Sequence, residues 1–116
     1  MAELNGYPGL RHVLDISSEL KLSAQQTEEI EVAFEQMQSQ AKSLGKTIVS
    51  KEQELSEAFA SGKITNIELE KQTRELAKLY GELRKTHLQA HLQINPILSA
   101  EQIKKYNQIR GYEIAK

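Results

Sequence analysis

Cysteine and tryptophan are missing from the 116 residues, and proline occurs only twice. Without cysteine there is no disulfide framework, no thiol nucleophile and no thiolate zinc site. Its absence does not fix a compartment. Aromatic residues make up 5% of the chain, and β-branched residues are few beside Leu, Ala, Glu, Gln and Lys, a composition that favours long helices over a sheet. No run of about 18 apolar residues exists, so no membrane span is expected. The opening residues Met1-Ala2-Glu3-Leu4 carry neither a basic stretch nor an apolar one, as in a cytosolic protein or in a mature domain separated from its export signal. A glycine-rich phosphate loop, an HExxH pair and a GxSxG turn are all missing, so no enzymatic activity is expected. Nucleic acid is disfavoured too, since no basic cluster is interleaved with aromatics.

The net charge of −1 conceals an uneven distribution. Residues 23–61 carry seven acids and three bases, whereas residues 63–97 carry six bases and four acids. Two helices of complementary charge lying against each other account for that division.

Length fits one domain over residues 1–116, with an irregular arm at 1–9, marked by Asn5-Gly6 and Pro8-Gly9, and a tail at 110–116. Leu10, Val13, Leu14, Ile16 and Leu20 suggest a short first helix. Leu22-Ser23-Ala24-Gln25-Gln26 then reads as a capping box. The Ser23 hydroxyl takes the amide of Gln26, the Gln26 side chain reaches back, and Leu22 supplies the apolar residue just outside. A long helix should begin there. Its apolar positions Ile30, Phe34, Met37, Ala41, Leu44, Ile48, Leu55 and Ala58 alternate in steps of four and three, with Lys51 standing in one place of the series, which is a heptad seam. Gly62 ends it. Thr65-Asn66-Ile67-Glu68 is a second capping box, opening a helix whose seam is Leu69, Thr73, Leu76, Tyr80, Leu83, His87, Ala90 and Ile94. Asn95-Pro96 stops that helix. Leu98-Ser99-Ala100-Glu101-Gln102 is a third capping box, followed by Ile103, Tyr106 and Ile109.

These signals predict an all-α fold: a long antiparallel hairpin of helices near 23–61 and 66–94, flanked by short helices near 10–20 and 100–109. A turn at Gly62-Lys63 pairs positions whose numbers sum to roughly 126, with each arm on the order of 50 Å long. Leu44 then meets Leu83, Ile48 meets Leu79 or Tyr80, and Phe34 meets Leu92 or Ile94. Gly45 falls level with Gly81, where the backbones could approach closely or bend. So thin a hairpin cannot bury both its sides, and Val32, Val49, Phe59 and Ile64 are left outside the strict seam. A homodimer is therefore expected.

The segments around Ser23–Gln26 and Ser99–Gln102 resemble the two LTxxQ motifs of the Spy/CpxP family, with Ser in the place of Thr at both caps. Two copies flank a long helical hairpin, the second directly after Asn95-Pro96, and the resemblance covers roughly residues 10–110. That family comprises bacterial periplasmic helical proteins, including envelope-stress chaperones and the ZraP- and CnrX-like metal-responsive proteins. The resemblance implies a periplasmic, cradle-shaped, non-enzymatic dimer acting as an ATP-independent chaperone for unfolded clients. The alternative it implies is a heavy-metal sensor or scavenger, with a signalling partner. A structural coiled-coil subunit is a third reading. This chain is closer to neutral than the basic chaperones it resembles, so charge-steered capture of clients is not expected to dominate.

The histidines are the residues that bear on a metal role. His87 and His91 stand four apart on one helix face and could share an ion. In the hairpin register His91 lies opposite Glu35, and His12 could fold back from the first helix. His12, His87, His91 and Glu35 are thus the candidate ligands for Zn, Cu, Ni or Co. No cofactor is otherwise required. The plain alternative is a satisfied His87 and a solvated His91. Paired acids such as Glu28-Glu29 and Glu52/Glu54 read as solvated helix surface.

Overall fold

The computed structural model describes residues 9–111. The irregular arm and the tail expected at the ends lie outside them, apart from Gly9, Arg110 and Gly111. Among them five helices follow in order: α1 (Leu10–Asp15), α2 (Ser17–Leu20), α3 (Ala24–Ala60), α4 (Asn66–Ile94) and α5 (Ala100–Arg110). No strand occurs among the described residues, and the fold is the all-α hairpin with short flanking helices. The expected first helix is interrupted at Ile16, whose backbone leaves the helical region at φ −115°, ψ 29°. Lys21 then closes α2 in the left-handed conformation, at φ 55°.

The helix ends follow the local chemistry. Ser23 and Ser99 cap α3 and α5 from outside the first turn. The Thr65 hydroxyl accepts from the Glu68 amide at 3.2 Å and opens α4. Gly62, at φ 72°, ends the α3 turn in a conformation that costs an L side chain about 1–2 kcal/mol. Gly111 does the same after α5, at φ 76°. Asn95 precedes Pro96 and is biased away from the helical region, which ends α4 at Ile94.

The described residues divide into two compact units, one built from 9–38 and 87–111, the other from Ser39–Thr86. In the first, Val13, Leu20, Ile30, Ala33, Ala90, Ile94, Leu98 and Tyr106 form a buried core. Leu14, Ile16, Leu22, Phe34, Met37, Ile97 and Ile103 pack around it. Phe34 therefore meets the cluster that holds Ile94. Leu92, its other expected neighbour, is 60% exposed. Tyr106 is wholly buried, and its hydroxyl accepts a 3.4 Å hydrogen bond from the Gly9 amide.

In the second unit the buried apolar side chains are Ile48 and Leu76. Leu44, Leu55, Leu69, Leu79 and Leu83 are half-buried. Lys51 stands in the α3 seam and reaches across to Glu75, with Nζ to Oε2 at 3.1 Å, the pairing that the expected register gives. Two expectations need correction. On α4 the seam does not pass through Thr73, Tyr80 and His87, which are exposed, but through Gln72, Leu79 and Thr86 one residue earlier. Nor do Gly45 and Gly81 serve a close approach, since a Cβ at either would meet nothing within 4 Å. Both helices run through them unbroken.

Candidate functional site: two serine–glutamine caps joined through their amides

The caps of α3 and α5 are built alike. At the first, the Gln26 amide donates to Ser23 Oγ at 3.0 Å and the Ser23 amide donates to Gln26 Oε1 at 2.9 Å. At the second, the Gln102 amide donates to Ser99 Oγ at 3.1 Å and the Ser99 amide donates to Gln102 Oε1 at 2.9 Å. Each box satisfies two backbone donors that a helix start leaves unpaired.

The two boxes also close on each other. Gln26 Nε2 donates to Gln102 Oε1 at 2.8 Å, and Gln102 Nε2 donates to Gln26 Oε1 at 3.1 Å. The remaining hydrogens cross between segments: Gln26 Nε2 donates to the Ile97 carbonyl at 2.9 Å and Gln102 Nε2 to the Leu20 carbonyl at 3.2 Å. A primary amide offers two donor hydrogens and two acceptor lone pairs. Both glutamines use all four. The arrangement has an approximate two-fold character, each glutamine capping its own helix while tying the chain segment that leads into the other. Leu98 is buried in the core beneath it and Leu22 packs against that core. The serine and glutamine of each motif thus face the clasp, and the leucine faces the hydrophobic interior.

An open groove of about 770 Å³ runs beside the clasp, lined among others by Glu19, Lys21, Glu101 and Lys105. Its charges are mixed in sign.

The four candidate metal ligands are not gathered. Glu35 and His87 are exposed, and His12 and His91 are half-buried. His12 Nε2 lies 3.5 Å from Arg110 Nη2, a cationic neighbour. Among the described residues no three His, Cys, Asp or Glu side chains are grouped so as to hold an ion.

Side chains of the Ser39–Thr86 unit form a separate polar cluster. Lys51 also lies 3.5 Å from Glu54, and the Tyr80 hydroxyl donates to Glu52 Oε1 at 3.3 Å. The hydrogen bond to Glu75 holds the Lys51 ammonium above its ordinary value, with the charges of Glu54 and Glu75 adding to it. Partial shielding pushes the Tyr80 phenol up, reinforced by the neighbouring Glu52 carboxylate.

Several large apolar side chains remain in water. Val32, Val49 and Phe59 on α3 are 48%, 65% and 55% exposed, and Ile67 on α4 is 82% exposed. Tyr80 and Leu92 on α4 and Ile109 on α5 are also exposed. Ile64, expected among the leftover residues, is half-buried. The exposure of Tyr80 follows from the shifted α4 seam, and a seam read through Leu79 would have shown it.

A comparison with protein families finds the LTXXQ motif family over residues 10–110. No curated protein and no solved structure gives a significant match.

Proposed function

We propose, from the premise that this chain belongs to the LTXXQ motif family, the Spy/CpxP type, that it is a periplasmic envelope-stress protein and an ATP-independent binding module for unfolded proteins. The observation that carries this reading is the set of large apolar side chains left in water along both long helices, Val32, Val49, Phe59, Ile67, Tyr80 and Leu92. They stand among exposed charged and amide residues such as Glu28, Gln36, Lys63 and Lys71. Apolar groups in a charged setting offer an extended apolar segment many small contacts without a fixed pocket, and none is strong enough to require an energy source for release. Family membership supports a helical, non-enzymatic role. No helix of the described residues is long and apolar enough to cross a membrane.

The protein works as a homodimer on this reading, since a second copy would cover part of what the hairpin leaves exposed. A metal-responsive role would require His12, His87, His91 and Glu35 to be drawn together from their present positions.

Light scattering from a client unfolding in the presence of the protein tests the reading. With several-fold excess and no nucleotide, aggregation should be suppressed. Scattering equal to that of the client alone would remove the proposal.

A further inference from the structure

Gly45 on α3 and Gly81 on α4 both lie inside the Ser39–Thr86 unit, and neither has a positive φ. A side chain at either position would meet open space. Neither packing nor backbone conformation requires glycine there, so each weakens its helix against alanine, by about fivefold in a local opening equilibrium. The two fall at one level of the hairpin, in the same register that sets Lys51 against Glu75. The surrounding interior is thin. Ile48 and Leu76 are the buried apolar side chains of this unit, against eight among the described residues of the other. The seam also holds Lys51 and Gln72, and Gln72 Oε1 is buried without a hydrogen-bond partner. Few buried contacts and weak local helix propensity are the conditions under which part of a native protein opens on its own.

We propose that Gly45 and Gly81 form a paired soft level at which α3 and α4 open together under native conditions, while the unit closed by the two caps stays folded. Opening there bares Leu44, Ile48, Leu79 and Leu83, which the closed hairpin buries or half-buries. For a protein that binds unfolded clients, which is the reading proposed above, these four side chains add apolar surface that is withdrawn when no client is present. The opening itself does not depend on that reading.

Amide hydrogen exchange followed by mass spectrometry tests it, on the full chain without client. Peptides covering 41–49 and 77–85 should exchange faster than those covering the buried positions 30–34 and 90–94. Gly45→Ala should slow exchange about fivefold in both peptides of the soft level, including the one on the opposite helix, because the two arms open as one event. Gly81→Ala should do the same, and the double variant should slow both by about twenty-five-fold while peptides of the capped unit keep their rates. Slowing confined to the mutated helix, slowing spread evenly over the whole chain, or no change in either variant would overturn the proposal. Alanine is the stronger helix former, so these variants keep the fold. Failure of this test leaves the client assay unaffected, and failure of the client assay leaves the exchange pattern unaffected.

Discussion

At the scale of single residues, the clasp between Gln26 and Gln102 uses every donor and acceptor of both side-chain amides. Replacing one glutamine removes its own four hydrogen bonds and leaves the partner's amide partly unpaired in a half-buried place. Gln26→Ala or Gln102→Ala should therefore cost about 2–3 kcal/mol, more than the loss of an ordinary cap. Ser23→Ala and Ser99→Ala remove one cap bond each and should cost about 1 kcal/mol. Denaturant titration of the two glutamine variants and their double gives the coupling. The double variant should cost less than the two singles together, by about 1 kcal/mol or more, because the same amide pair is lost only once. Strictly additive costs would mean that the two caps act independently. Lys21 is a different case, a lysine held at φ 55°. Lys21→Gly should be neutral or raise the melting temperature, since glycine adopts that conformation without steric cost.

At the scale of elements, what was legible in the sequence was whatever a few consecutive residues decide. The serine caps at Ser23 and Ser99, the stop at Asn95-Pro96 and the glycine turn at Gly62 are local chemistry, and the helix ends lie where that chemistry puts them. The α3 seam was readable because its apolar residues leave little choice. On α4, Leu69, Leu76, Leu83 and Ala90 fix every second position of the stripe, but either neighbouring series could complete it. Tyr80 made one series look more apolar. The structure instead buries Thr86, whose hydroxyl donates to the Glu82 carbonyl at 2.9 Å and so hides its polarity within its own helix. It also half-buries Gln72, which no apolar pattern would select. The clasp was illegible for a related reason: a capping box already accounts for each glutamine locally, and nothing in either segment says that the two meet.

Element-scale chemistry also gives a pH dependence. Lys51 titrates above its ordinary value of 10.5 and Tyr80 above 10.0, so for both the protonated form is the one the folded state favours. Their contribution is fully present below those ordinary values and is lost as pH rises through the raised ones. Thermal melts should therefore show a decline in stability above about pH 10. Lys51→Met should flatten part of that decline, and an identical alkaline profile in the variant would remove Lys51 from the account. Gly62→Ala should destabilise by about 1 kcal/mol through its left-handed φ, a change readable in the same melts.

At the scale of the whole molecule, most of the described apolar burial is gathered in the capped unit, while the long helices keep large apolar side chains in water. That division fits a protein whose stability resides in one part and whose contacts with others are made along its helices. A homodimer at micromolar concentration should appear in sedimentation velocity, and a clean monomer there would count against the covering role of a second copy. The central claim is that exposed apolar side chains hold unfolded clients without nucleotide. Light scattering of an aggregating client, with the wild type and with a Val49→Ser/Phe59→Ser/Ile67→Ser variant whose circular dichroism and melting temperature are unchanged, tests it most directly. The account predicts suppression by the wild type at several-fold excess and most of it lost in the triple variant; no suppression by the wild type, or equal suppression by both proteins, would contradict it.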